Sequence, residues 1–214
     1  MAEFDVAHVE PGGPAHRYSE GKLAVTKLSV GPFDNNVYVL TDPDSMETLV
    51  VDAANEAERV IEQLRGLTVV GIVTTHRHPD HTFALREVLS ATGAWSGAHP
   101  ADADDIPVRP DRPLEHGAVL PVGQFEVRVL HTPGHTEGSI SFQLPHAQLL
   151  TGDALFPGGV GKTEGESAFR TAIDSVERHV FVLPPETRVS PGHGDDTHVG
   201  REAPHLEEWR ERGW

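Results

Sequence analysis

Apolar and polar positions alternate from Leu23 to Val30, the period of a strand with one buried face. Asn36 to Leu40 predicts a second strand, turned by Pro43-Asp44. Thr48-Leu49-Val50-Val51-Asp52 is an apolar run ending on a carboxylate and predicts a buried strand. From Glu56 to Leu64 the period lengthens, and Ala57, Val60, Ile61 and Leu64 share one face of a helix. Val69 to Thr74 predicts another buried strand. A helix is expected from about His81 to Ser90, with Phe83, Leu85, Val88 and Leu89 apolar and Asp80 as its N-cap.

The second half repeats the theme. Gln124 to Leu130 and Ser139 to Leu144 alternate as strands, and Gln148 to Asp153 is a strand that again ends on Asp. Ser167 to Val180 places Phe169, Ile173, Val176 and Val180 on one helical stripe. Arg188-Val189-Ser190 predicts a short strand, and Pro204 to Arg212 a charged terminal helix. Residues 1–21, rich in Pro, Gly and His, read as a loose arm before a single domain over 22–214. Two β-rich halves with helices outside predict an α/β chain folded as a four-layer αββα sandwich.

Composition narrows the function. The chain has 17 basic and 33 acidic residues, a net charge of −16 that repels phosphate backbones, so no nucleic-acid partner is expected. With no cysteine, thiolate metal sites, disulfides and a cysteine nucleophile are excluded. The N-terminus lacks the apolar stretch of a signal peptide, and no apolar run is long enough to span a bilayer. The expectation is a cytoplasmic protein acting on a small molecule without a membrane; oligomeric state is left open.

The chemistry concentrates in Thr75-His76-Arg77-His78-Pro79-Asp80-His81. Three imidazoles and a carboxylate in so short a segment suit divalent metals rather than packing. In extended backbone His76 and His78 point the same way, and Pro79 favours that geometry at His78. Asp80 and His81 project from the following turn toward a second ion. His131-Thr132-Pro133-Gly134-His135 and Ser190-Pro191-Gly192-His193 share a Pro-Gly pair expected to form type II turns that present His135 and His193 at strand ends. Asp153, beside Gly152, ends a strand where a carboxylate can bridge two cations. The expected ligands are His76, His78, His135 and Asp153 for one metal, and Asp80, His81, His193 and the shared Asp153 for the other. A shared water would become hydroxide between them, with Asp80 and Asp153 as the catalytic carboxylates. His and carboxylate donors suit zinc first, and also iron or manganese.

Isolated histidines are most often solvated or satisfied polar groups. That reading applies to His8, His16, His99, His116, His146, His179, His198 and His205. His131 either supports a ligand or merely ends its strand. Asp52 is expected to orient a ligand rather than be one.

These residues resemble the metallo-β-lactamase-fold hydrolases, from about residue 23 to the end, with His76 to His81 as the His-x-His-x-Asp-His motif and His135, Asp153 and His193 at the later ligand positions. The resemblance implies the αββα sandwich with a dinuclear site at one edge of the sheets. Within the family the chain is most similar to glyoxalase II-like thioesterases, through Gly152-Asp153-Ala154-Leu155-Phe156 and the glycine-rich loop to Lys162. That likeness implies hydrolysis of a small thioester or ester, with Lys162 either contacting substrate or remaining a solvated loop lysine. Glu164 and Asp195 stand where glutathione-binding members carry tyrosines, and the chain stops about twenty residues after His193, so the helical domain that grips glutathione is not expected. Persulfide dioxygenases, which hold one iron at positions equivalent to His76, His135 and Asp153, are the alternative, given Lys162-Thr163-Glu164-Gly165 in the glycine loop. Lactone cleavage is the second alternative, although Leu155-Phe156 replaces the tyrosine of those members. Antibiotic hydrolysis is not expected, because true β-lactamases lack the bridging Asp at the Asp153 position.

Overall fold

The computed structural model describes residues 8–213. Its first half is a seven-stranded sheet in chain order. The strands are β1 His16–Glu20, β2 Leu23–Val30, β3 Asn35–Thr41, β4 Glu47–Val51, β5 Thr68–Val73, β6 Trp95–Ala98 and β7 Arg112–Pro113. Helices α1 (Ala57–Gln63) and α2 (Leu85–Thr92) make the crossovers between β4, β5 and β6, which run parallel. The second half contributes β8 Val119–Val122, β9 Phe125–His131, β10 Ile140–Leu144 and β11 Gln148–Gly152. A small hairpin follows, β12 Leu155–Phe156 with β13 Gly159–Val160. Then come α3 (Glu166–His179), β14 Arg188–Pro191, β15 Thr197–His198, α4 (Val199–Glu202) and α5 (Leu206–Arg212). The second sheet has the order β15-β14-β11-β10-β9-β8.

Three apolar clusters define the layers. Leu23, Val25, Tyr38, Leu40, Leu49 and Val51 of the first sheet meet Val127, Val129, Ile140, Phe142 and Leu150 of the second. The opposite face of the first sheet (Leu28, Val37, Val39, Val50, Ile72) is covered by Val60 of α1 and Leu85 and Val88 of α2. Leu130, Leu149 and Val189 are covered by Phe169, Ile173 and Val176 of α3 and by Trp209 of α5. The result is the αββα sandwich expected from the periodicity. A strand between two apolar layers has no polar face, and all six residues from Asn35 to Leu40 are buried.

Three expectations are corrected. The loose arm over 1–21 fails at its C-terminal end: His16–Glu20 pairs antiparallel with β2, because Tyr18 packs against the inter-sheet cluster and Arg188 lies 5.0 Å over its ring. Residues 1–7 of that arm lie outside the described residues. The helix expected from His81 starts only at Leu85, and Ala84 rather than Asp80 is its N-cap. Pro79–His81 is a separate 3-10 turn, and Phe83 beyond it is exposed rather than on the apolar face. The terminal helix expected from Pro204 starts only at Leu206 as α5; Pro204 lies in a 3-10 turn, Ala203–His205, that follows the short α4. Short strands such as β6 were not foreseen. Trp95-Ser96-Gly97-Ala98 has little apolar alternation, and its place is set by Gly71, whose missing side chain leaves room for the Trp95 ring.

Candidate metal centre

The chemistry-bearing residues follow the carboxyl ends of strands at one edge of the sandwich, where open α/β sheets bind ligands. Asp52 follows β4 and takes a left-handed backbone, φ 57°. That bend carries its carboxylate back to the next loop. It accepts hydrogen bonds from the Thr75 N–H at 2.7 Å, the Thr75 hydroxyl at 2.8 Å and His81 Nδ1–H at 2.8 Å. Asp52 therefore stands behind His81 and orients its ring. His78 is extended (ψ 138°) before Pro79, the geometry expected of a residue preceding proline.

The seven expected residues converge. His76 Nε2, His78 Nδ1 and His135 Nε2 lie 2.9–3.2 Å apart. His81 Nε2 and His193 Nε2 are 3.1 Å apart, and Asp80 Oδ2 is 3.4 Å from His193 Nε2. Asp153 sits between the groups. Its Oδ2 is 3.4 Å from both His135 Nε2 and His193 Nε2, and its Oδ1 is 3.4 Å from His81 Nε2. Among the described residues, the sets His76-His78-His135, His76-His81-Asp153 and Asp80-His81-His193 each bring their ligand atoms within 4.8 Å of one another.

Hydrogen bonding on the far side of four of the rings fixes which nitrogen faces inward. His135 Nδ1–H donates to the Lys162 carbonyl at 2.6 Å, and His193 Nδ1–H to the Phe33 carbonyl at 2.7 Å. The Thr75 hydroxyl gives its proton to Asp52, so at 3.0 Å it accepts from His76 Nδ1–H. His81 Nδ1–H is taken by Asp52. In the neutral tautomers, four Nε2 lone pairs face one small space. Asp153 Oδ1 is buried there without a hydrogen-bond donor. Crowded lone pairs and an orphaned carboxylate oxygen fit divalent cations and little else.

The electrostatics agree. Burial lowers the His76 pKa well below 6.5, helped by the neighbouring His81. Burial also lowers His78, with His135 beside it. Burial alone would lower His81, but the neighbouring carboxylates of Asp52 and Asp153 push it up to about 10. His193 likewise rises to about 10 against burial, through Asp153 and Asp80. The His193 hydrogen bond holds Asp80 well below the usual carboxylate range, and Asn35 adds to it. Asp153 is lowered against its burial by His193 and His81.

Other expectations sort differently. His131 is outside the cluster; its Nε2 bonds the Glu137 carbonyl and its ring stacks on His99 at 4.0 Å. None of the eight isolated histidines joins a ligand group among the described residues. Lys162 reaches the centre through its backbone carbonyl, while its side chain is exposed along a groove with Phe169 and Trp209. The two Pro-Gly turns are not alike. Gly134 has φ 138°, but Gly192 has no positive φ and is not a type II turn. Gly192 is needed for room, since a Cβ there would overlap Asp153 Oδ1 and come within 2.7 Å of His81 Cε1. Two supporting residues carried no signal in the sequence. Asn35 Nδ2 donates to Asp80 Oδ2 at 2.9 Å. Asp102, fully buried, accepts from the Arg77 N–H, the Thr136 hydroxyl and the Gly138 N–H at 2.7–2.9 Å, tying the His76–His78 segment to the His135 turn.

A family model of the Metallo-beta-lactamase superfamily matches residues 30–193. The "Probable metallo-hydrolase YqgX" of Bacillus subtilis is 31% identical over 81% of this chain and 91% of its own length. A hydroxyacylglutathione hydrolase of Cereibacter sphaeroides is 38% identical over 75% of this chain, which spans 62% of that relative. Among solved structures, the BLEG-1 B3 metallo-beta-lactamase superposes with a TM-score of 0.78 at 28% identity, covering 85% of this chain and 97% of that one. TTHA1623 in a di-iron-bound form gives 0.71 at 32% identity, covering 83% and 96%. ETHE1 from Myxococcus xanthus gives 0.72 at 27% identity, covering 90% and 83%. The chain belongs to the metallo-β-lactamase superfamily of metallo-hydrolases.

Proposed function

We propose that this protein is a glyoxalase II-like hydrolase that cleaves a small thioester or ester with two divalent metal ions. The observation that carries this reading is the position of Asp153: one carboxylate oxygen lies 3.4 Å from a nitrogen of each histidine group, as a bridge between two ions requires. His76, His78 and His135 would hold one ion, and Asp80, His81 and His193 the other. When bound, such a pair lowers the pKa of a shared water and polarises the substrate carbonyl. The chain supplies the rest. The Lys162 and Phe33 carbonyls fix the His135 and His193 rings. Asp80, half-buried and kept ionised by His193 and Asn35, is an anionic donor at the rim. Phe33 is 63% exposed and Phe156 lies 6.2 Å from the His193 ring, so aromatic surface flanks the centre where an apolar acyl group would sit. The hydroxyacylglutathione hydrolase relatives support thioester cleavage, and the di-iron form of a solved relative supports iron as well as zinc.

A second reading is a mononuclear iron persulfide dioxygenase. It is favoured by the placement of His76, His135 and Asp153, whose facing atoms lie 3.2 and 3.4 Å apart in sequence around one space. Metal analysis of the purified protein, paired with assays on thioesters, lactones, a chromogenic β-lactam and a persulfide, separates the readings. Two ions per chain with thioester turnover and no oxygen uptake are expected. One iron with persulfide-dependent oxygen uptake would refute the hydrolase.

A further inference from the structure

The side chain of Lys27 is fully buried in the middle of β2. Its neighbours by alternation, Leu23 and Val25, face the second sheet, so Lys27 points between the sheets as well. An ammonium in that position needs a reason, since a chain can fill the space with an apolar residue at no cost in stability. Its partners supply one. Nζ donates to the Gly194 carbonyl at 2.7 Å and to the buried Asp196 carboxylate at 2.9 Å. The other Asp196 oxygen accepts from Arg188 at 3.3 Å. Gly194 directly follows His193.

The segment from Gly192 to Asp196 carries His193 away from β14 and across to the first sheet. Neighbours of Lys27 hold the same segment. Tyr38, its register partner on β3, donates its hydroxyl proton to the Pro191 carbonyl at 2.7 Å. Asn36 Nδ2 donates to the Pro191 and Gly194 carbonyls at 2.9 Å, and its backbone N–H to the Gly192 carbonyl at 2.7 Å. Asn36 and Tyr38 are neutral and grip the start of the loop. Lys27 pairs with Asp196 and also ties the Gly194 carbonyl.

We infer that Lys27 is a positioning residue for His193, and thereby sets the affinity of the second metal position without acting on the first. The first position draws on His76, His78 and His135, which Asp102 and Lys162 support. If the ion pair had only a structural task, removing Lys27 would lower the melting temperature and leave His193 in place.

The inference rests on the two-metal reading only for its effect on affinity, and the test separates the two. In the metal-free protein, His193 Nδ1–H and His135 Nδ1–H are both held by backbone carbonyls, and both rings are to be followed by nitrogen-edited NMR through their ring nitrogens and carbon-bound protons. Lys27→Met is expected to lose the His193 signal and keep the His135 signal. In zinc titrations the second ion is expected to bind about 10- to 100-fold more weakly, the range for removal of a residue that orients a ligand, with the first ion unchanged. Persistence of both signals, or joint loss of both, overturns the inference. If the wild-type protein takes one ion only, the two-metal reading fails while the NMR comparison still decides the role of Lys27. Should Lys27→Met not fold, Asp196→Asn removes the countercharge and leaves the Gly194 contact. It is expected to broaden the His193 signal selectively, and an unchanged spectrum sinks the inference.

Discussion

Asp153 is the side chain on which both histidine groups meet, and its replacement tests the centre most directly. Asp153→Ala is expected to reduce turnover to the uncatalysed level and bound metal to about one ion or fewer, measured by elemental analysis after dialysis. Unchanged metal content would exclude the bridge. Protons and metal compete at the neighbouring histidines. Because the pKa values of His81 and His193 are raised to about 10 in the metal-free protein, their stabilising contribution is full below about pH 6.5 and is lost as pH rises through 10. Metal uptake at about pH 7.5 is therefore expected to release protons, read by calorimetry in buffers of different ionisation enthalpy, and affinity should rise with pH across that window. A proton count of zero would contradict the raised values. The seven candidate ligands were legible because they crowd into short motifs at strand ends. Lys27, Asn35 and Asp102 were not. Lys27 meets Gly194 across 167 residues of chain, and no local pattern marks such a partner.

At the scale of elements, strands announced themselves where one face or both are apolar, and their carboxyl ends located Asp52, Asp153 and His193. The 3-10 turn at Pro79–His81 was hidden because its apolar neighbours continue a helical period that the backbone does not follow until Leu85. The turn aims Asp80 and His81 inward, where a continuous helix from His81 would have carried them around its axis. The end of β14 offers a sharper test. Gly192→Ala meets no adverse φ, yet its methyl would press on Asp153 and His81. The expected outcome is loss of metal and activity, with a cost of about 1–3 kcal/mol to the metal-free protein. Gly158→Ala is the counterpart: it has open space but φ 88°. It should cost about 1 kcal/mol of stability in denaturant titration and leave metal content unchanged.

Across the whole molecule, the inter-sheet cluster is the part of the core that joins the halves. Phe142 is fully buried in it, and Phe142→Ala is expected to cost about 3–5 kcal/mol in urea unfolding. A loss below about 1 kcal/mol would mean that the seam repacks easily. Every strand of the first sheet precedes residue 114, and every strand of the second follows residue 118. His76, His78, Asp80 and His81 thus belong to one contiguous half, and His135, Asp153 and His193 to the other. A chain cut at the exposed Glu115-His116 connector would yield two pieces, each with an incomplete set of donors. Zinc capture by the mixed fragments should then depend on the product of their concentrations, which makes the metal a reporter of reassembly.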